Sequence, residues 1–234
     1  MVVNAKTITH PKEKIDDDSS RTKVIKKRYG MLSWWQCWFE EKFERKLREK
    51  GLKLLSVKKG EKILEIGIGT GCALAEIAKS VSNAGKAYGI DIAPKMIELS
   101  RKRLERLSLL DRAEIWENDA KHLAFEDGFF DGVYIVGTLD MFGSEAIFQV
   151  LDEIKRVLKP QGRLVAGCLS KDTRRGQTFL KLYELMSKIF PGQFVCRAIP
   201  LEKLLKETGF EIEKTEDILV RGLFPMRMIR AKPI

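Results

Sequence analysis

The stretch Ile63-Leu64-Glu65-Ile66-Gly67-Ile68-Gly69-Thr70-Gly71 decides the fold of this chain. Its first half is a short apolar run, which is typical of a strand covered on both faces. Glycines then alternate along the turn, where the backbone can approach a ligand closely or adopt a positive φ. An amphipathic helix follows Gly71. The stretch therefore predicts a strand, a ligand-binding turn and a helix whose N-terminus faces the ligand.

The same alternation of strand and helix signals continues along the chain. Residues 86–90, 113–117, 130–136 and 163–169 are predicted to form strands, with helices between them, and the run at 130–136 has the apolar character of a strand covered on both faces. Pro94 suits the first turn of one of these helices, and Ser144 is predicted to cap another. The alternation predicts a Rossmann-like α/β fold with a doubly wound, mostly parallel, seven-stranded sheet.

The last two strand signals have a different connection. Residues 210–215 and 223–230 leave no room for a helix between them. Parallel neighbours need a long crossover, whereas antiparallel neighbours do not. We therefore expect an antiparallel hairpin at the C-terminal edge of the sheet.

The N-terminal part has its own pattern. Residues 1–28 are polar and basic, and we expect a flexible tail there, followed by a single domain over residues 29–234. A helix is predicted from Trp34 to Lys50, with Gly51 as its terminator. Residues 29–55 are expected to form a helical lid over the site, with Tyr29 and Trp34 as its aromatic residues.

Composition limits the function classes. The formal net charge of +10 favours anionic partners such as nucleic acid, an anionic membrane surface or an acidic cofactor. No apolar run approaches the roughly 18–20 residues of a membrane span, and no signal-peptide pattern is present, so we expect a cytoplasmic protein. The four cysteines show no CxxC spacing, and no metal site is predicted.

Two ligand classes use a glycine turn of this kind. A dinucleotide favours G-x-G-x-x-G, but Cys72 stands where its third glycine is required. The acidic Glu65 would also lie unfavourably beside a pyrophosphate. It suits instead a positively charged ligand group, such as the amino group of an amino acid.

Residues after the next two strands fit a nucleoside. Asp91 ends the second strand, where a carboxylate can accept hydrogen bonds from ribose hydroxyls, and Ile92 would lie beside the adenine face. Asp119 follows the third strand, where its side chain can accept a hydrogen bond from the adenine amine while the Ala120 N–H donates to the ring. Turn capping is the alternative for both aspartates.

Together these residues resemble the class I S-adenosylmethionine-dependent methyltransferases. Within that class the chain is similar to the branch of the ubiquinone/menaquinone-biosynthesis C-methyltransferases, which are methyltransferase type 11-like. The set is specific for fold and cofactor but not for the methyl acceptor. The matching segments are Leu64 to Gly71, Gly89 to Met96, Asn118 to Ala120, Phe130 to Val133 and Val157 to Leu164.

The resemblance implies S-adenosyl-L-methionine as cofactor and S-adenosyl-L-homocysteine as product. It also implies a role for each matching residue. The methionine part would be bound by Glu65, Gly67, Gly69, Thr70 and Gly71; the ribose and adenine by Asp91, Ile92, Asp119 and Ala120; and the sulfonium and acceptor would face Val136 and Gly137.

The resemblance is incomplete at the N-terminus. The quinone branch often has a Tyr-Asp pair near the start of its lid, whereas here Tyr29 precedes Gly30. This departure weakens the transfer of quinone specificity. In-line transfer from a sulfonium needs no metal, and it needs a general base only when the nucleophile carries a proton. Asp140 is our candidate for that base, with helix capping as the alternative.

Three functions remain open from the sequence. The first is methyl transfer to a small, lipophilic acceptor, with the basic, aromatic N-terminal region docking on an anionic membrane. The second is methylation of nucleic acid, which the charge favours, although the Asn/Asp-Pro-Pro-aromatic motif of base-amine methyltransferases is absent after the fourth strand. The third is a non-catalytic protein that binds S-adenosylmethionine.

Overall fold

The computed structural model describes residues 23–27, 34–173, 176–189 and 196–234, with the backbone alone at 34–44 and 188. Its helices are α1 (Trp34–Leu55), α2 (Cys72–Val81), α3 (Pro94–Arg106), α4 (Ser144–Val157), α5 (Gln177–Ile189) and α6 (Leu201–Glu207). Its strands are β1 (Lys62–Ile66), β2 (Lys86–Asp91), β3 (Ala113–Glu117), β4 (Phe130–Val136), β5 (Leu158–Leu169), β6 (Phe210–Val220) and β7 (Phe224–Pro233).

The seven strands form one sheet in the order β3-β2-β1-β4-β5-β7-β6. Strands β1 to β5 run parallel to one another, whereas β7 runs antiparallel to both β5 and β6. The predicted mostly parallel sheet with an antiparallel C-terminal hairpin is therefore confirmed. The strand order reverses at β1 and β4, and in open α/β sheets such a reversal opens a crevice at the carboxyl ends of the strands.

Helices cover both faces of the sheet. One face packs against α1, α2 and α3 through buried side chains that include Leu55, Leu74, Ile77, Val81 and Leu104. The other face packs against α4 and α6 through Ile147, Leu151, Ile154 and Leu205. Successive side chains of β1 alternate between these two cores, because a strand has a period of two. Ile63 faces the first core and Leu64 the second, so Glu65 lies on the α1 side.

The predicted end of α1 at Gly51 is wrong. The helix continues through Gly51 to Leu55. A Cβ at Gly51 would lie 2.7 Å from the Tyr134 hydroxyl oxygen and 2.8 Å from Met228 Cε. The glycine is thus explained by the close approach of α1 to the sheet, not by a left-handed helix end.

Two further boundaries differ from the sequence prediction. Ser144 is the first residue of α4, and the capping position belongs to Gly143, which makes no side-chain hydrogen bond. Strand β5 begins at Leu158 directly after α4, five residues earlier than expected, and its pairing with β4 is irregular between Phe130 and Gly132. The extra residues lengthen the strand at the edge away from the crevice.

Part of the expected tail is helical. Residues 23–27 form a helical segment, and the ammonium of Lys26 lies 3.1 Å from Glu117 Oε1 at the end of β3. The remainder of the tail, residues 1–22 and 28, lies outside the described residues. In the part of the chain that is described, no helix has the length and apolar character to cross a membrane.

Candidate functional site

The glycine turn between β1 and α2 lies at the strand-order reversal. Gly67 and Gly69 have φ values of +75° and +50°, in the left-handed region that favours glycine. A Cβ at Gly67 would lie 2.1 Å from Thr138 Oγ1, so the turn packs tightly against the loop after β4. A Cβ at Gly69 would meet nothing within 4 Å. The backbone of Gly69 therefore borders open space that a ligand can enter.

Backbone hydrogen bonds fix the shape of this turn. The Gly67 N–H donates to the Ile90 carbonyl at 2.8 Å, and the Gly71 N–H donates to the Ile68 carbonyl at 2.8 Å. The Gly69 N–H donates to Asp91 Oδ2 at 3.0 Å. These bonds join the end of β1 to the end of β2, so the two predicted binding segments form one unit.

Two side chains of α3 hold the same turn, and no sequence motif pointed to them. The Ser100 hydroxyl donates to the Gly69 carbonyl at 2.9 Å, and Arg103 Nε donates to the Thr70 carbonyl at 2.8 Å. Ser100 is fully buried between Met96 and Leu104, which are also buried. A polar residue at four-residue spacing within a buried stripe is the signal that could have identified it.

Glu65 is a buried carboxylate on the α1 side of the crevice, with only 5% of its surface exposed. Among the described residues, its Oε2 atom has no hydrogen-bond partner. Burial raises the pKa of Glu65 well above its ordinary value; the charge of Arg48 on α1 opposes this rise, and that of Asp91 adds to it. A buried, unpartnered acidic oxygen is costly unless a donor reaches it. It therefore fits the ammonium group of an amino-acid ligand.

Asp91 lies at the end of β2 and is half-buried. Its Oδ2 accepts the Gly69 N–H, and its Oδ1 accepts the Ala93 N–H at 2.9 Å. Burial raises the pKa of Asp91, while the N–H groups of Ala93, Gly69 and Ile92 oppose the rise. An ionised carboxylate has about four lone-pair sites, so these two contacts leave capacity for two ribose hydroxyls.

The segment after β3 is tied to the end of β2, because the Asn118 N–H donates to the Asp91 carbonyl at 3.1 Å. Asp119 Oδ1 accepts the Lys121 N–H at 3.1 Å, and Oδ2 lies 3.5 Å from the Lys121 ammonium. The turn alternative for Asp119 is thus present in the structure, with acceptor capacity left on the carboxylate. Ala120 is buried, and Ile92 is half-buried.

The structure also places residues of the loop after β4 at this edge. Val136 is half-buried at the end of the strand, opposite Gly167 of β5. Asp140 lies in a 3-10 turn, Leu139–Met141, and is 2% exposed. It does not cap α4. Its Oδ2 accepts the Leu169 N–H at 3.1 Å, and its backbone carbonyl accepts the Arg197 N–H at 2.9 Å.

The second oxygen of Asp140, Oδ1, is buried and has no hydrogen-bond partner in the part of the chain that is described. Burial raises the pKa of Asp140 to about 6, against the opposing effect of the Leu169 N–H. A carboxyl with this pKa can take up a proton near neutral pH. Asp140 thus combines a structural contact with the chemistry of a general base.

The predicted lid residues are Tyr29 and Trp34. Tyr29 lies outside the described residues, and at Trp34 the backbone begins α1 but the side chain is not described. The charge of Arg48 on α1 acts on Glu65, which indicates that this helix lies near the crevice. No group of three or more His, Cys, Asp or Glu side chains within the described ranges is arranged to hold a metal ion.

Comparison with known proteins agrees with this geometry. Residues 63–162 match the family model of a methyltransferase domain. The chain is 31% identical over 186 residues to the demethylmenaquinone methyltransferase of Symbiobacterium thermophilum, which covers 70% of this chain and 73% of the relative. It is 34% identical over 146 residues to the enzyme of the same name from Lactobacillus johnsonii, over 62% of this chain and 58% of the relative.

Other similar proteins have different names. A probable cobalt-precorrin-6B C(15)-methyltransferase (decarboxylating) of Saccharolobus solfataricus is 32% identical over 128 residues, covering 54% of this chain and 62% of the relative. The chain thus spans about three fifths of the length of this relative and of the Lactobacillus one. Among solved structures, a SAM-dependent methyltransferase from Aquifex aeolicus superposes with a TM-score of 0.62 at 22% identity, over 80% of this chain and 89% of that one.

Proposed function

Since the chain belongs to the class I S-adenosylmethionine-dependent methyltransferases of the menaquinone C-methyltransferase type, we propose that it is an enzyme that methylates a small, lipophilic acceptor. The observation that carries the proposal is the buried Oε2 of Glu65, which has no hydrogen-bond partner among the described residues and lies on the strand that leads into the open turn at Gly69. An acidic group at this position suits an amino-acid cofactor and disfavours a pyrophosphate.

Each part of the cofactor has a matching group in the chain. Glu65 would accept a hydrogen bond from the ammonium group, and Asp91 would accept from the ribose hydroxyls. Asp119 and the Ala120 N–H would contact the adenine edge, with Ile92 against its face. The backbone of Gly67, Gly69, Thr70 and Gly71 would line the methionine part. When bound, S-adenosylmethionine supplies a methyl group on a positively charged sulfur.

The protein's main task is then to hold the reacting groups in line and to exclude water. Ser100 and Arg103 serve the first task, because they fix the carbonyl groups of the turn and leave its open side to the ligand. Val136 would face the sulfonium. The lid residues Tyr29 and Trp34 would serve the second task by covering the crevice.

Asp140 would act as general base when the acceptor's nucleophile carries a proton. Its Oδ1 atom, which has no hydrogen-bond partner in the described ranges, would take that proton, while Oδ2 stays bonded to the Leu169 N–H. A base of this kind contributes about 10²- to 10⁴-fold to the rate. The surrounding segment from Val136 to Phe142 contains no other acidic or basic residue, which suits an apolar acceptor.

The names of the relatives support a small-molecule acceptor, and those of the demethylmenaquinone methyltransferases support a lipophilic one. Proteins named demethylmenaquinone methyltransferase and cobalt-precorrin-6B methyltransferase are similar to this chain at comparable identity, so the similarity does not single out one acceptor. The net charge of +10 also favours a second candidate, the methylation of RNA. If the basic charge binds RNA, the affinity should fall steeply as the salt concentration rises, because phosphate contacts release counterions. A cytoplasmic location stays a prediction.

The test is turnover of S-adenosylmethionine to S-adenosylhomocysteine with a demethylated quinone carrying a short isoprenoid chain, compared with RNA as acceptor. Asp91→Ala should remove two hydrogen bonds to a charged acceptor and weaken cofactor binding by ~100-fold or more, measured by calorimetry. Asp111→Ala is the matched control, because Asp111 is an exposed aspartate in the turn that precedes β3, at the opposite edge. Equal affinities in the two variants would exclude the ribose assignment.

A further inference from the structure

One face of α5 is apolar and points away from the protein. Leu182, Leu185 and Ile189 are 56%, 54% and 57% exposed. Their spacing of three and four residues places them together along the helix. Leu180, on the other side of the helix, is 3% exposed. The helix therefore presents an apolar stripe to its surroundings in addition to the side that it buries.

The tip of the β6–β7 hairpin carries two further exposed leucines beside the start of α5. Leu219 and Leu223 are 37% and 49% exposed. The start of α5 rests on them, because a Cβ at Gly176 would lie 3.0 Å from the Leu223 carbonyl oxygen and 3.1 Å from Leu219 Cδ1. The rings of Phe179 and Phe224 pack at 4.6 Å between centroids and join the two elements.

We name the five side chains Leu182, Leu185, Ile189, Leu219 and Leu223 the apolar corner. Its position follows from strand register. Leu169, at the carboxyl end of β5, pairs with Met226 near the start of β7, and Val220 of β6 pairs with Phe224. The hairpin tip thus lies at the carboxyl edge of the parallel strands, the edge that carries the glycine turn.

The sequence around the apolar corner is basic. Residues 171–190 contain five Lys or Arg and two Asp or Glu. Lys181 is exposed and directly precedes Leu182. A helix that combines an apolar stripe with neighbouring cations has the composition of an interfacial membrane helix, whose binding depends both on buried apolar area and on attraction to anionic lipids.

We propose that the apolar corner docks this protein on an anionic membrane surface, with the crevice edge toward the lipid. The inference rests on the proposed lipophilic acceptor, which such a surface would supply. A second copy of the chain is the less suitable occupant, because five partly exposed side chains cannot provide the roughly 800 Å² per partner that a stable interface buries. Phosphate charge and acyl chains match the cations and the leucines at once.

The experiment is cosedimentation of the full chain with vesicles of phosphatidylglycerol and phosphatidylcholine, and with vesicles of phosphatidylcholine alone. Binding should require the anionic lipid and should weaken as salt rises. Leu185→Glu should reduce the partition coefficient by ~10-fold or more, since it removes one inserted leucine and adds a repelled charge. Leu110→Glu is the matched control, because Leu110 is 42% exposed in the turn before β3, at the opposite edge.

Thermal melting and gel filtration of the same variants complete the test. If Leu185→Glu melts early, Ile189→Gln replaces it as a milder change at a 57% exposed position. The docking proposal fails if the unmodified chain does not bind the anionic vesicles. It also fails if Leu185→Glu and Leu110→Glu bind equally, or if Leu185→Glu converts a dimer to a monomer. Because vesicle binding needs no methyl acceptor, loss of turnover with intact, α5-dependent binding would refute the acceptor class and leave the docking surface in place.

Discussion

Glu65→Gln should weaken cofactor binding without lowering the stability of the unliganded protein at pH 8. The substitution keeps the shape of a side chain that is 5% exposed and removes its charge. A hydrogen bond to a charged group contributes about 1.5–3 kcal/mol. With tenfold per 1.4 kcal/mol, the variant should bind S-adenosylmethionine roughly 10- to 150-fold more weakly.

The stability of the unliganded protein should not fall at pH 8. Burial raises the pKa of Glu65 in the folded state above its unfolded value. The contribution of this group to the free energy of unfolding is therefore fully present below the unfolded pKa and is lost as the pH rises through the folded pKa. Glutamine has no such loss. The variant should then be as stable as the unmodified protein at pH 8, or more stable.

Calorimetric titration with the cofactor and urea unfolding without it measure the two effects. Affinity of the unmodified protein should also fall as the pH drops through the raised pKa of Glu65, because a protonated carboxyl no longer attracts the ammonium group. The glutamine variant should lack that dependence. Asp140→Asn is the matched control, since it neutralises another buried carboxyl at the same edge and should leave cofactor affinity unchanged. Unchanged affinity in Glu65→Gln would falsify the assignment of the ammonium site.

The remaining predictions concern the turn and the candidate base. Gly69→Val should lose cofactor binding while costing about 1–2 kcal/mol for a left-handed φ, because a Cβ there meets no atom within 4 Å. Gly67→Ala should lower the melting temperature further, since its Cβ would lie 2.1 Å from Thr138 Oγ1; equal melting of the two variants would contradict the packing. Asp140→Asn should cut turnover ~10²-fold or more, and turnover of the unmodified enzyme should rise with pH through about 6. Because the pKa of Asp140 rises from 3.8 to about 6 on folding, its ionisation should cost the unmodified protein up to about 3 kcal/mol as the pH rises through that range, and urea unfolding of Asp140→Asn should show no such loss.

Local patterns in the sequence were enough to predict most of the fold. The alternation of strands and amphipathic helices predicted a mostly parallel sheet. The short link between the last two strands predicted the antiparallel hairpin. The boundaries were less accurate where tertiary packing overrode a local signal. A glycine such as Gly51 is typical of a helix end, but α1 continues through it to Leu55. The glycine is required there because Tyr134 and Met228 lie too close for a larger side chain.

The candidate site also has a part that local sequence could predict and a part that it could not. The glycine turn and Asp91 could be predicted, because each directly follows a strand that leads into a helix. The contacts from distant segments could not be predicted. Ser100 and Arg103 reach the turn from more than thirty residues downstream, at separations of 31 and 33.

The sequence by itself determined the order of strands and helices, the glycine turn and the acidic residues at the strand ends, since these depend on neighbours along the chain. Only the tertiary structure decided which charges meet, because burial and distance depend on segments that folding brings together. It placed Arg48 of α1 within electrostatic reach of Glu65 and bonded Asp140 to the Leu169 N–H. It also left the leucines of α5 exposed beside the crevice edge.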